Sequence, residues 1–268
     1  MKNYKLGFIG AGNMAEAIFS GAIEKKVLKP NEIFIYDISQ DRMNGLCKKY
    51  GIISASSIED LCSKAEMLVL AIKPSIISTV LEKLAEIDSR LPMVSIVAGW
   101  SGMKIKGYMG RHDNVRVLRI MPNMPLMSGE GMSVFETPTD LEKNEYIFIK
   151  GIFQGLGLVL EQPEKLMDAV TSISGGGPAY VFMFIEALAD AGVLNGISRD
   201  NAILLAAQTV LGSAQAVLDT GIHPAKLKDA VCSPGGTTIE AVKVLEEKGF
   251  RSSIIEAVDA CAEKSKKL

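Results

Sequence analysis

The segment Gly10-Ala11-Gly12-Asn13-Met14-Ala15 constrains the fold more than any other part of this chain. It fits G-x-G-x-x-G/A, follows the apolar run Tyr4–Ile9 and opens the amphipathic stretch Asn13–Lys26. A strand that turns sharply into a helix through paired glycines is the start of a dinucleotide-binding βαβ unit. Gly10 permits the tight turn, Gly12 lets backbone approach a pyrophosphate, and Ala15 is small enough for close helix–strand packing. The loop from Gly10 to Ala15, with Ala11, Asn13 and Met14 between them, is thus the expected phosphate cradle at a helix N-terminus. Asp37 lies 22 residues after Ala15, at the end of the second strand-like run. A carboxylate there accepts hydrogen bonds from the adenosine ribose and repels a 2′-phosphate, which tilts the reading toward NADH. NADPH stays open, because Ser39 and Arg42 lie just beyond and are able to host that phosphate if Asp37 turns away.

The rest of the first 160 residues continues the alternation. Ile33–Tyr36, Met67–Ile72, Met93–Ala98 and Val115–Ile120 read as strands; Asp41–Tyr50, Ser75–Ile87 and Ser101–Arg111 read as the helices between them. Such alternation predicts a doubly wound, mostly parallel, Rossmann-like α/β sheet. Gly131–Phe135 and Gly157–Leu160 add strands at one edge, flanking a helix over Leu141–Gln154, and Ile52–Ser54 is ambiguous. Ligands in open α/β sheets sit beyond the carboxyl ends of the strands, so the loops at Ala71, Lys73-Pro74 and Ala98-Gly99 should border the cofactor.

From Pro163 the strand-like runs stop. Helices are expected over Glu164–Val170, Pro178–Leu194, Asp200–Asp219, Pro224–Cys232, Thr237–Lys248 and Arg251–Lys266. The chain thus divides into a dinucleotide-binding domain, residues 1–162, and an all-α domain, residues 163–268. Pro178–Leu194 is apolar almost all round, with Glu186 and Asp190 as its polar marks. A helical domain this small has limited interior for that helix and for Ala202–Leu218, and a second copy is the simplest cover. A homodimer through the helical half is expected.

Composition narrows the remaining classes. The 268 residues carry a net charge of −2, so no basic excess exists to neutralise nucleic-acid phosphates. The uncharged run Ala202–Leu218 is interrupted by Gln208, Thr209, Ser213 and Gln215, and reads as a buried helix rather than a membrane span. The four cysteines form no CxxC pair and only two histidines are present, so no metal site is expected. Free thiols without a secretory leader point to the cytoplasm.

A second constellation lies between two of the late helices. Ser233-Pro234-Gly235-Gly236-Thr237-Thr238 offers consecutive N–H groups and three hydroxyls at a helix start, an anion nest suited to a small carboxylate. The residues for alcohol chemistry are missing: neither His112 nor His223 stands at a strand end. Reduction of a C=N bond needs less, since a basic imine arrives already protonated. It requires hydride geometry, a carboxylate anchor and a hydroxyl near nitrogen, for which Thr238 is the candidate.

These residues resemble a known family. GFIGAGNMAEAI (7–18), VLAIKPS (69–75), VRVLRIMPNMP (115–125), DAVTSISGGGPAYVFMFIEALADAG (168–192) and DAVCSPGGTTIEAVKVLE (229–246) are together similar to pyrroline-5-carboxylate reductases. The resemblance implies a Rossmann-like domain followed by a helical dimerisation domain. It implies the reduction of L-1-pyrroline-5-carboxylate by NADPH or NADH to L-proline, the last step of proline biosynthesis. It places the pyrophosphate at Gly10–Ala15, the nicotinamide beside Ala71, Lys73, Pro74 and Ala98, and the substrate carboxylate on Ser233, Gly235, Gly236, Thr237 and Thr238. The Thr238 hydroxyl then faces the ring nitrogen. In that family the site forms between the cofactor domain of one subunit and the helical domain of another, and dimers often assemble into rings, commonly decamers. This chain departs from the family pattern at Met124, where MPNTP is usual, at Gly176, where GSGPA is usual, and at Asp37, where an acid is often absent.

Two other classes compete. A β-hydroxyacid dehydrogenase or related imine reductase is the nearest enzyme rival; the dehydrogenase family shares the opening motif but carries a catalytic lysine on the long helix of its second domain, and Pro178–Leu194 contains none. A dinucleotide-binding sensor without turnover needs no anion nest. Cys232 reads as a structural thiol and Trp100 as packing beside the cleft.

Overall fold

The computed structural model describes residues 4–110 and 115–267 and divides into two compact units. His112 and the end of the helix expected over Ser101–Arg111 lie outside the described residues. The first unit comprises residues 1–176 and 261–268, and the second comprises residues 177–260. The break in sequence character at Pro163 coincides with the end of the last strand, while the units part later, at Gly176.

The first unit is built on an eight-stranded sheet. Its strands are β1 (Leu6–Ile9), β2 (Ile33–Tyr36), β3 (Ile53–Ser54), β4 (Met67–Leu70), β5 (Met93–Ser95), β6 (Val117–Met121), β7 (Gly131–Thr137) and β8 (Gly157–Pro163). They run in the order β3-β2-β1-β4-β5-β6-β7-β8. The first six are parallel, joined through α1 (Asn13–Glu24), α2 (Gln40–Tyr50), α3 (Ile58–Lys64), α4 (Ile77–Glu86) and α5 (Gly102–Tyr108). β7 is antiparallel to β6. Its link, residues 122–130, contains Pro122 and Pro125 and is too short for a crossover helix. β8 returns to parallel through α6 (Lys143–Gln154).

Both faces of the sheet are covered, which is why β1, β2 and β4 are nearly continuous apolar runs. Leu6 and Phe8 of β1 pack on one side with Phe19, Ile33 and Phe153. Ile9 packs on the other side with Leu61, Leu70, Leu81 and Trp100. Arg119 and Glu136 face each other across β6 and β7 at 3.8 Å, both buried. Burial and the nearby Glu164 charge push the Glu136 carboxyl up, against the pull of Arg119.

The ambiguous Ile52–Ser54 run forms the short edge strand β3, and the seven-residue helix α3 was not anticipated. β5 stops at Ser95 instead of Ala98, because the chain turns there: the Ser95 hydroxyl accepts from the Val97 amide at 3.4 Å. After β8 come α7 (Met167–Val170) and a π-helical turn at Thr171–Gly175. The hydroxyls of Thr171, Ser172 and Ser174 all bond back to carbonyls of the preceding turn.

The second unit holds α8 (Gly177–Leu194), α9 (Arg199–Thr220), α10 (Pro224–Val231) and α11 (Thr237–Glu247); α12 (Phe250–Ser265) begins in it and ends in the first. α8 and α9 form an antiparallel hairpin that closes on Ala189, Ala202 and Ala206. Arg199 is paired with Asp190 across its turn at 2.6 Å. Most of the remaining apolar surface is uncovered, with Met183 69% and Leu204 67% exposed. The sequence predicts burial for both helices; within one chain most of that burial is absent. Glu164–Leu194 and Arg199–Thr220 are long and apolar enough to cross a membrane by length and composition.

Candidate functional site

The strand order reverses between β2-β1 and β4-β5, the crevice where doubly wound sheets take dinucleotides. Gly10 lies there, one residue past β1, with φ +97°. Its amide donates to the Tyr36 carbonyl at 2.8 Å, and the Ala71 amide donates to the Ile9 carbonyl at 2.9 Å. A Cβ on Gly10 would meet the Ala71 carbonyl oxygen at 2.4 Å, so glycine is required at this crossing of β1 and β4.

Gly12 serves differently. It precedes α1 with φ −71°, a conformation open to any residue, and a Cβ there would touch nothing within 4 Å. The space beside Gly12 before the α1 N-terminus is therefore open, and among the described residues no side chain caps that terminus. Uncapped N–H groups, the positive end of the helix and an unfilled approach form a fitting cradle for a pyrophosphate. Asn13 and Met14 begin the helix, and buried Ala11 and Ala15 pack against the sheet.

Asp37 closes the loop from behind. Its Oδ2 accepts from the Ala11 amide at 2.8 Å and its Oδ1 from the Ser39 amide at 2.9 Å. Each carboxylate oxygen keeps a second acceptor position, so Asp37 is able to brace the loop and receive ribose hydroxyls together. Ser39 caps α2 through its hydroxyl, which accepts from the Arg42 amide at 3.3 Å.

Arg42 takes part in a group that sequence reasoning did not assemble. Its Nε donates to the Ala11 carbonyl at 3.0 Å and its Nη2 to Glu16 Oε2 at 2.5 Å. The other Glu16 oxygen accepts from Lys49 Nζ at 3.0 Å and Tyr50 Oη at 2.7 Å. Burial alone would raise the Glu16 carboxyl, but the bonds from Tyr50 and Lys49 and the charges of Arg42 and Lys49 outweigh it and hold it below the usual carboxylate value. These residues come from α1 and α2, 26 to 34 positions apart, and only the sheet brings them together.

The other expected cofactor-side residues flank the same crevice. Ala71 follows β4 directly, and Lys73 and Pro74 begin the turn into α4, with Lys73 exposed. Ala98 lies half-buried in the loop after β5. Trp100 is packed into the core with its ring 5.0 Å from that of Tyr108, and Lys104 Nζ stands 4.2 Å over it. Met124 is exposed, while the adjacent Asn123 pins its loop by accepting from the Met132 amide at 2.8 Å.

In the second unit, Ser233-Pro234-Gly235-Gly236 connects α10 to α11. The Gly236 amide donates to the Ser233 carbonyl at 3.0 Å, and Gly235 stands at φ +67°. A Cβ on Gly236 would lie 2.3 Å from the Ser233 hydroxyl, so that hydroxyl stands beside the helix start. Among the described residues no side chain caps α11. The first-turn amides of Thr237 and Thr238 are thus open to an anion beside the Ser233 hydroxyl, and Thr238 itself is half-buried. His223 caps α10, its Nδ1 accepting from the Ala225 amide at 3.2 Å. Cys232 ends α10 as a half-buried free thiol.

Known proteins match over the whole chain. Residues 164–268 match the family model described as pyrroline-5-carboxylate reductase dimerisation, and residues 5–99 match one described as NADP oxidoreductase, coenzyme F420-dependent. The chain is 43% identical over 265 residues to the pyrroline-5-carboxylate reductase of Escherichia coli (strain K12), with 98% of each covered. It is 39% identical over 267 residues to that of Glycine max, with 100% of this chain and 97% of the relative covered. The crystal structure of Plasmodium falciparum pyrroline carboxylate reductase with NADP bound shares its fold at a TM-score of 0.89 and 35% identity, covering 100% of this chain and 98% of that one.

Proposed function

Since the chain belongs to the pyrroline-5-carboxylate reductase family, we propose that its two parts divide the reduction of a cyclic imine, residues 1–162 holding the hydride donor and residues 163–268 the acceptor. The protein is an NAD(P)H-dependent oxidoreductase that converts L-1-pyrroline-5-carboxylate to L-proline, the last step of proline biosynthesis. It carries a dimerisation domain in its helical half.

The reading of the site rests on one observation above all: an α11 start that no described side chain caps, with the Ser233 hydroxyl beside it. The free first-turn amides of Thr237 and Thr238 and the Ser233 hydroxyl take the substrate carboxylate on the Gly235-Gly236 turn, as the positive end of a helix favours. With the carboxylate fixed, the Thr238 hydroxyl reaches the ring nitrogen and holds the proton at that atom. When bound, the reduced nicotinamide supplies a hydride to the C=N carbon. Gly10–Ala15 hold its pyrophosphate, and Ala71, Lys73, Pro74 and Ala98 border its reactive end. A protonated imine needs no further acid, which suits an α8 without lysine and a His223 whose Nδ1 is used to cap α10. Asp37 makes NADH the preferred donor. The exposed face of α8 and α9 carries the homodimer, and dimers build a ring such as a decamer. Four free thiols and a small net negative charge suit a cytoplasmic enzyme that binds neither nucleic acid nor membrane.

The test is oxidation of NADH and NADPH by the purified protein with pyrroline-5-carboxylate, each donor in turn, with proline measured as product. Turnover with a higher kcat/KM for NADH is expected. A preference for NADPH would overturn the role of Asp37, and no proline from either donor would overturn the site.

A further inference from the structure

Ala11 is the middle residue of the Gly10-Ala11-Gly12 turn, and its two backbone polar groups are held by opposite charges. Its N–H goes to the Asp37 carboxylate at 2.8 Å, and its carbonyl accepts from Arg42 Nε at 3.0 Å. An anion and a guanidinium therefore straddle one residue of the β1–α1 turn, beside the carboxyl end of β2. In this fold class the adenosine ribose lies there, and its 2′ substituent decides between the two dinucleotides. A 2′-hydroxyl suits the carboxylate. A 2′-phosphate needs the guanidinium, whose planar fork of donors matches phosphate oxygens.

Arg42 is already engaged. Glu16, in the first turn of α1, takes its Nη2 at 2.5 Å and uses its other oxygen for Lys49 and Tyr50. The Glu16 side chain is 16% exposed, against 40% for Arg42, so the carboxylate is the fixed member of the pair. One half-buried carboxylate thus offsets two cations, Arg42 and Lys49, and anchors the guanidinium on the α1 side.

We propose that Glu16 is a specificity-determining positioning residue, which sets the preference for NADH over NADPH by holding Arg42. A 2′-phosphate has to draw the guanidinium from Glu16 and then lie between two carboxylates, Asp37 and Glu16. With Glu16 neutral, Arg42 is released to the phosphate and only Asp37 opposes it. This rests on the dinucleotide reading of Gly10–Ala15.

The test is equilibrium binding of NADH and of NADPH, without substrate, to the wild-type protein and to Glu16→Gln, Arg42→Ala and the double variant. In Glu16→Gln the ratio of the NADH to the NADPH Kd should shift toward NADPH by about ten-fold, the worth of one released charge-assisted contact. The shift should vanish in the double variant, which a merely structural role of Glu16 does not predict. Arg42→Ala alone, in which the α1 carboxylate remains, should weaken NADPH more than NADH. An unmoved ratio in Glu16→Gln, or an equal shift with Arg42 absent, overturns the role of Glu16 while leaving the dinucleotide site intact. Should Glu16→Gln fail to fold, equal weakening of both dinucleotides in Arg42→Ala overturns it as well. Failure of the wild-type protein to bind either dinucleotide overturns the site and the inference together.

Discussion

At Gly10 the backbone stands at φ +97°, and a methyl group would lie 2.4 Å from the Ala71 carbonyl oxygen; at Gly12 a methyl group would meet nothing. Two glycines of one motif therefore have separable duties. Gly10→Ala should cost about 1–3 kcal/mol of stability, the range for a non-glycine residue in a sparsely populated conformation. Gly12→Ala should leave the urea-unfolding midpoint near that of the wild type while raising the dinucleotide Kd, because the added carbon fills the approach to the α1 N-terminus. Denaturant curves and dinucleotide titrations on both variants check the split. Thr238 is the other residue with a sharp expectation. Its replacement by alanine removes the one hydroxyl assigned to the ring nitrogen, and kcat/KM should fall by about 10- to 1000-fold, the span from one lost hydrogen bond to a lost general acid. Unchanged steady-state kinetics in that variant would remove Thr238 from the reaction.

At the scale of elements, both proposed ligand sites lie at helix N-termini that no described side chain caps, α1 and α11. Gly236→Ala tests the second one alone. The added carbon would press within 2.3 Å of the Ser233 hydroxyl and 3.1 Å of its carbonyl, displacing the turn that feeds α11. KM for the imine should rise with the Kd for dinucleotide unchanged; a rise in both would place the effect elsewhere. The same elements show what a sequence carries. β1, β2 and β4 are legible because strands buried on both faces read as unbroken apolar runs. The turn from Ser233 to Gly236 is legible as a helix start because a proline and paired glycines separate two helical patterns. α3 is hard to see: seven residues offer only Ile58 and Leu61 to a buried face, although Ser57 capping the Asp60 amide is a signal that was available. The cluster of Glu16, Arg42, Lys49 and Tyr50 leaves no local trace, since α1 and α2 meet only after β1 and β2 pair. The reversed direction of β7 follows from a short proline-bearing link that apolar periodicity does not register.

For the whole molecule, the apolar content of α8 and α9 was plain in the sequence, but whether its cover lies inside the chain was not. The structure leaves Met183 and Leu204 open, and the family match over residues 164–268 names dimerisation. A charge on this face has to be desolvated on association and should oppose it strongly. Leu204→Glu is expected to shift the sedimenting species toward the monomer while the first unit still binds dinucleotide, and an oligomer of unaltered mass would move the interface elsewhere. The central claim is that hydride passes from the nicotinamide to the imine carbon of a ring whose carboxylate is held by the Ser233–Thr238 loop. The most direct measurement is turnover with NADH deuterated at the transferred position, with pyrroline-5-carboxylate as acceptor and proline examined by mass spectrometry and NMR. Deuterium on the proline ring carbon that was double-bonded to nitrogen, with the yield reduced in Thr238→Ala, is the predicted result. Proline without deuterium, or no proline from a folded protein that binds the dinucleotide, would contradict it.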